Sequence, residues 1–306
     1  MNTHSKIVIT GATGFLGKYI IEELSSKGYN ICVLSRDTEK AKKTLGAEHE
    51  YVLWNGEESP VLQSAIEGSK AVIHLAGANI AGKRWSDSYK REIIESRSVW
   101  TRSIANAIAT SVTPPEVWFS TSAVGYYGNG GEEVKTENSL PSTAFLSYVC
   151  KEWEAAALPA EKCCRVVRGR IGVVLHKQEG ALAKMLLPFR LWFGGWLGSG
   201  RQWLSWVAYA DVVGMIVWAI ENSSIKGAMK IVSPNPVPMK KFAATVGKVL
   251  HRPSWFPVPE FVLKLMLGEQ AWIVVAGQRV EPKVATEHNY PFRFTDLEAA
   301  LKDLLN

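Results

Sequence analysis

Ile7-Val8-Ile9-Thr10-Gly11-Ala12-Thr13-Gly14-Phe15-Leu16-Gly17 joins a short β-branched run to three glycines spaced three apart. The run reads as a buried strand. Behind the glycines, residues 18–27 carry apolar side chains at helical spacing and stop at Gly28, a residue suited to a helix end. Strand, glycine turn and helix in that order form a cradle for a pyrophosphate. The glycines let the backbone turn sharply and approach the phosphates. The helix N-terminus offers unpaired N–H groups and a positive dipole end. Gly11, Thr13, Gly14, Phe15, Leu16 and Gly17 are therefore expected to bind a dinucleotide. The alternative is a glycine turn that merely packs helix on sheet. A second apolar run, residues 31–34, stands where a βαβ unit needs it.

The residues after that run bear on which dinucleotide. An NAD site favours an acid about 20 residues past the glycines, bonded to the ribose 2′-hydroxyl. Here Ser35 and Arg36 come first and Asp37 one step later. A guanidinium and a hydroxyl suit a 2′-phosphate, so NADP(H) is expected, held by Ser35 and Arg36. The alternative leaves Arg36 in solvent and gives the ribose to Asp37. Residues 71–77 read as a buried strand running into a small-residue turn. Ligands of open parallel sheets lie at the carboxyl ends of strands, so Leu75, Ala76 and Gly77 are expected along the cofactor. His74, inside the strand, reads as a core histidine.

Outward from these units, strands are expected at 51–54, 118–122, 165–175 and 227–232, and helices at 86–111, 144–158 and 208–221. Residues 123–143 read as a long loop. The pattern predicts an α/β fold: a doubly wound parallel sheet (Rossmann) over 1–175, with 208–235 returning to it. Residues 176–207 and 236–306 form a smaller, mostly helical C-terminal substrate lobe, and the cleft between is the expected substrate site. The 306 residues suffice for a full core, and 47% hydrophobic with 21% charged is ordinary for a globular protein. No apolar run reaches the roughly 18 residues of a membrane span. Residues 1–6 run into the first strand without a leader pattern, so a cytoplasmic location is expected. The four cysteines form no CxxC pair and no histidine cluster has ligand spacing, so no metal is expected. A net charge of +6 without a block of like charges fits a small anionic ligand and not nucleic acid.

On the Gly11-x-x-Gly14-x-x-Gly17 pattern, the His74-to-Gly77 turn and Ser120-Thr121-Ser122-Ala123-Val124-Gly125-Tyr126-Tyr127-Gly128, the chain resembles extended-type short-chain dehydrogenases/reductases. Lys83-Arg84-Trp85, Glu92 with Arg97, Cys150-x-x-Trp153-Glu154, 180–189, 198–203, His251-Arg252-Pro253 and Gly277-Gln278-Arg279 are more closely similar to an atypical, sugar-nucleotide epimerase-like subgroup, sometimes named cell-division inhibitors. The resemblance covers essentially the whole chain. The parent family carries Tyr-x-x-x-Lys on the helix after the active-site loop; the tyrosine donates a proton and the lysine lowers its pKa and binds the nicotinamide ribose. Aligned on Glu154, Leu146 and Cys150 occupy those places. Tyr148 lies about 200° around the helix from Leu146, and Lys151 about 100° from Cys150, so neither restores the relay.

The resemblance makes Ser122 the serine that bonds the substrate oxygen, and Glu92 and Arg97 cofactor-site residues, with the backbone from Gly172 to Val174 beside the nicotinamide. Tyr126 and Tyr127 are candidate replacement proton donors, or else cleft walls. Cys150 is a candidate thiol acid, or else packing. Lys184, Arg201, Gln202 and Trp206, with Trp203, are candidates for the substrate wall, or else the aromatics are lobe core. Two functions follow. One is an NADPH-dependent oxidoreductase or epimerase acting on a small polar carbonyl or hydroxyl compound, sugar-nucleotide-like by analogy. The other is a catalytically silent NADPH-binding sensor or scaffold acting as a homodimer or through a protein partner, in cell division by analogy.

Overall fold

A computed structural model describes residues 5–305; the reading of the chain's first four residues lies outside the described residues. The first half alternates strictly: β1 (Lys6–Thr10), α1 (Phe15–Ser26), β2 (Asn30–Ser35), α2 (Thr38–Leu45), β3 (Glu50–Leu53), α3 (Pro60–Ile66), β4 (Ala71–His74), α4 (Asp87–Thr110) and β5 (Val117–Ala123). Then come β6 (Val134–Lys135), α5 (Phe145–Ala157), β7 (Arg165–Ile171), β8 (Val173–Leu175), α6 (Gly180–Arg190), β9 (Trp203–Leu204), β10 (Trp206–Ala208), α7 (Tyr209–Glu221) and β11 (Gly227–Ile231). The remainder holds β12 (Val237–Pro238), α8 (Met239–Leu250), α9 (Glu260–Leu267), α10 (Trp272–Val275), β13 (Arg279–Val280), α11 (Lys283–Glu287) and α12 (Leu297–Leu305).

Seven strands form one parallel sheet in the order β3-β2-β1-β4-β5-β7-β11. Strand order reverses at β1, which lies between β2 and β4, and that reversal opens the crevice in which such sheets bind ligands. Successive residues of a strand face opposite sides. Ile7 and Ile9 accordingly join α1 and α7 in one core, while Val8 joins Cys32, Trp118 and residues of α3 and α4 in the other. Helices on both faces explain why these strands read as unbroken apolar runs.

Residues 165–175, expected as one strand, divide at Gly172. A Cβ at Gly172 would overlap the Ser205 carbonyl oxygen. The chain leaves the sheet there: Gly172 N–H donates to Ile231 O (3.0 Å) and Val173 N–H to Ser205 O (2.8 Å), so β8 pairs with β10. A separate core joins Leu182, Leu186 and Phe189 of α6 to Phe242 and Val246 of α8 and Leu301 of α12. Asp211, in the first turn of α7, accepts from the backbone N–H groups of Arg293 (2.7 Å) and Phe294 (3.0 Å) and ties the C-terminal segment down.

Candidate functional site

At the carboxyl ends of β1, β2 and β4 lies a cavity of about 350 Å³, lined in part by Gly11, Thr13, Gly14, Ser35, Arg36 and the Leu75–Ala76–Gly77 turn. Gly11 has φ +71°, and a Cβ there would lie 2.7 Å from Ala76 N. A Cβ on Gly17 would overlap the Ala12 carbonyl. Both positions need glycine for close backbone approach. α1 begins at Gly14 with no side-chain cap and no acid in its first turn. Its N–H groups therefore stay available at the mouth, where an anion satisfies them. Phe15 and Leu16 supply that first turn; Phe15 packs sideways on His176, with ring centroids 5.2 Å apart.

The turn after β4 is held from beneath. Ala76 N–H donates to Thr10 Oγ1 (3.3 Å), and Thr10 Oγ1 meets His74 Nδ1 at 2.6 Å. The ring's Nε2 has no hydrogen-bond partner among the described residues. Burial first, and the charge of Arg97 second, push His74 down to about 3. It is the core histidine expected.

The rim separates the two cofactor alternatives. Asp37 Oδ1 accepts from Lys40 N–H (2.9 Å) and caps α2. Ser35 Oγ lines the cavity while donating to Asp37 O and accepting from Asp37 N–H. Arg36 stacks over the Trp100 ring, its Cζ 5.6 Å from the centroid. Among the described residues, no carboxylate lies within salt-bridge distance of Arg36. One oxygen of Asp37 caps α2 and Asp37 does not line the cavity, whereas Arg36 does.

Behind Gly77 lies a second, apolar cavity of about 190 Å³. Its walls come from Ala123–Gly125, from Leu146, Cys150 and Trp153 of α5, from Ile171 and Gly172, and from Trp272, Ile273 and Gln278. Arg97 of α4 reaches into it. A Cβ on Gly77 would stand 3.4 Å from Arg97 Cζ, so this guanidinium sits against the turn bounding the first cavity. Arg97 stacks on Trp153, 4.9 Å from its centroid, and Nη1 donates to Ile93 O (3.2 Å). Burial pushes its pKa down, and among the described residues it has no carboxylate partner. Cys150 is fully enclosed. Burial, then the charge of Glu154, push its thiol up to about 11, so it is neutral at physiological pH.

Several expected site residues are placed otherwise. Ser122 Oγ–H donates to Glu154 Oε1 (2.8 Å), and Glu154 is gripped bidentately by Arg170 at 2.7 and 2.8 Å. Tyr126 and Tyr127 do not line the second cavity. Arg170 Cζ lies 3.6 Å from the Tyr126 ring centroid, and Nη1 donates to the Tyr127 hydroxyl (2.6 Å). Burial pushes the Tyr127 phenol well above its usual range. The charge beside these rings is Arg170, and both tyrosines serve as its support. Glu92, by contrast, lines the first cavity where a cofactor-site residue was expected, and pairs with Lys83 (3.7 Å). Trp206 is fully buried, its indole N–H donating to Asn235 O (2.9 Å): it is lobe core. Gln202 Nε2 donates to Leu197 O (2.8 Å) and Val274 O (3.0 Å), a structural clamp. Lys184 and Arg201 are exposed and line neither cavity; of the Gly172-to-Val174 backbone, Gly172 lines the second cavity and Val174 does not.

Ser96 and Trp100 carry the first cavity's wall beside Glu92 without having been expected there. Glu92, Ser96 and Trp100 stand four apart on α4 and together line the first cavity. That spacing is one face of a helix, a signal present in the sequence. Ser96 Oγ accepts from Ala78 N–H (3.0 Å). Gly56, at φ +102°, lets the Trp100 indole lie against the backbone, where a Cβ would overlap it. Nothing local announces that contact, nor the approach of Gln278 to the second cavity from far along the chain.

Residues 7–232 match the NAD dependent epimerase/dehydratase family, and residues 258–304 match a domain of unknown function. The chain is 41% identical over 301 residues to the chloroplastic "Epimerase family protein SDR39U1 homolog" of Arabidopsis thaliana, covering 98% of this chain and 86% of that protein. It is 40% identical to the epimerase family protein YfhF of Bacillus subtilis, covering 98% and 97%. It superposes on the crystal structure of human epimerase family protein SDR39U1 (isoform 2) with NADPH at a TM-score of 0.88 and 32% identity, covering 98% of each chain. The chain belongs to the NAD dependent epimerase/dehydratase family.

Proposed function

We propose that this protein binds NADP(H) and transfers a hydride between it and a compact carbonyl or hydroxyl compound in the second cavity, in the cytosol. The observation that carries the cofactor is the rim: Asp37 caps α2 and does not line the cavity, whereas Arg36 does, stacked over Trp100. The NADPH in the similar human structure supports it. The backbone of the Gly11-to-Gly14 turn and the start of α1 hold the pyrophosphate, Arg36 takes the 2′-phosphate, and the Leu75–Gly77 turn lies along the riboses. When bound, the nicotinamide supplies or accepts the hydride. Arg97 occupies the region where the parent family places its lysine, now Cys150; the small thiol leaves room for a guanidinium arriving from α4. Its free N–H groups point the substrate oxygen. The mostly apolar walls around it strengthen that interaction by lowering the local dielectric. A cavity of about 190 Å³ fits a small carbonyl compound better than a whole sugar nucleotide.

A specific observation favours a second reading. The lining of this cavity offers only Arg97 and Cys150 as ionisable side chains; the guanidinium stays charged and the Cys150 thiol is pushed to about 11, so neither is a proton donor poised near neutrality. A protein that only senses NADPH, and reports to a partner, needs no proton donor. Under the enzymatic reading the proton comes from water.

The test is a titration with NADPH and NADH read by energy transfer from tryptophan, for which Trp54 and Trp100 in the cavity wall are suited donors. NADPH is expected to bind at least tenfold more tightly. Arg36→Ala is expected to erase that preference, a loss of about 1.5–3 kcal/mol for one charged hydrogen-bonding partner. Equal or tighter NADH binding overturns the assignment. Loss of nicotinamide absorbance with a panel of aldehydes and ketones then separates enzyme from sensor.

A further inference from the structure

One face of the C-terminal lobe presents aromatic side chains to solvent. α6 ends at Arg190 with Leu191 as its C-cap, and Trp192 and Phe193 follow at 58% and 66% exposure; Trp255 reaches 76%. The two stretches are one surface. Phe256 N–H donates to Gly194 O (3.1 Å), and the Phe193 and Phe256 rings meet at 5.8 Å. α9 continues the exposed apolar character with Phe261 at 71%. Side chains this exposed stand proud of the surface and line neither cavity.

Two cations without a carboxylate partner among the described residues stand beside them. Residues 180–210 and 222–259 contain no Asp or Glu; of the lysines in the second stretch, Lys230 is buried beside Glu137 and Lys248 pairs with Glu298, so neither adds to this face. Arg252 stacks on Trp192, 4.4 Å from its ring centroid, and Arg190 is exposed one residue before Leu191. The nearest acid in sequence, Glu260, is paired with Lys264 at 2.8 Å. Trp192 also sits at φ +69°, just past the helix end, where glycine is the undemanding residue. A bulky aromatic is kept where the backbone disfavours one.

We propose that this face docks peripherally on an anionic phospholipid surface, with the aromatic tips in the headgroup layer and Arg190 and Arg252 toward the lipid phosphates. Protruding Trp and Phe beside basic residues suit an interface that is apolar on one side and negative on the other. A fluid bilayer accepts a convex patch without a complementary shape. A second copy of this chain would bring like charges together. No helix among the described residues is long and apolar enough to cross a membrane, so the contact is superficial.

The full chain is sedimented with vesicles of about equal parts phosphatidylglycerol and phosphatidylcholine, and with phosphatidylcholine alone. At least tenfold tighter binding to the anionic vesicles is expected, lost in high salt. Trp192→Gly with Phe193→Ser is expected to lower binding at least tenfold, while Trp192→Gly alone leaves the melting temperature unchanged or raised. NADPH titration is expected to be unaffected, which separates this surface from the cofactor site. Protein remaining in the supernatant with both vesicles overturns the proposal. So does equal binding to both, or a dimer in equilibrium sedimentation that the double variant dissolves.

Discussion

Ser122 Oγ–H points at Glu154 Oε1 from within the core, and a hydroxyl has one proton to give. Ser122→Ala deprives a buried carboxylate of a donor while Arg170 still holds it. The expected outcome is a loss of about 1–2 kcal/mol in urea unfolding with NADPH affinity unchanged. Undiminished stability with turnover cut by two orders of magnitude would return Ser122 to the substrate.

His74 gives a pH dependence at the same scale. Its ring is neutral in the folded state, with the pKa depressed to about 3, against about 6.5 in the unfolded chain. Between those values the unfolded state binds more protons. The contribution to stability is therefore complete above pH 6.5 and falls as the pH drops toward 3. Between pH 7 and 5 the wild type is expected to lose roughly 2 kcal/mol more than His74→Gln, at about 1.4 kcal/mol per pH unit below 6.5. Parallel acid profiles for the two proteins would mean that the histidine is hydrated or open.

Elements divide into those whose reasons are local and those whose reasons are not. β1, the glycine turn and α1 were legible because every residue there answers a nearby need: a β-branched run, a left-handed Gly11, a Gly17 pressed on Ala12. Gly17→Ala is expected to force α1 away from that carbonyl. Over-packing of this kind costs about 1–3 kcal/mol. The shift also misaligns the helix N-terminus, so thermal unfolding and NADPH titration should both suffer, the latter at least tenfold. An unchanged NADPH affinity would mean that α1 does not hold the phosphates. The break between β7 and β8 was not legible, because Gly172 answers to Ser205 and Ile231, both distant in sequence. Trp206 and Gln202 were misplaced for a related reason. An aromatic or an amide in an irregular stretch looks the same whether it faces ligand or core, and only the hydrogen bonds to Asn235, Leu197 and Val274 decide. The Glu92, Ser96 and Trp100 stripe was readable from its spacing alone.

At the scale of the whole molecule, the second cavity is closed by a segment with little core of its own. From α9 through α10 only Leu263, Gln270 and Ala271 are buried, yet Trp272 and Ile273 wall the cavity. Polar ties to α4 and the loop before it hold the segment instead. Gln270 Nε2 donates to Ile80 O (3.1 Å) and to Lys83 O, Arg84 Nη2 to Met266 O (2.8 Å), and Lys90 pairs with Glu269. A segment held by a few hydrogen bonds opens at lower free energy than the sheet it covers. Gln270→Ala removes two of those bonds, worth about 1 kcal/mol each net. Amide exchange across 263–276 is expected to quicken about tenfold or more, with β1 and β4 unaffected. NADPH affinity is expected to hold, because the first cavity takes no wall from this segment. If exchange over 263–276 is unchanged, apolar contacts of Trp272 and its neighbours keep the cavity shut, and access to it is controlled elsewhere.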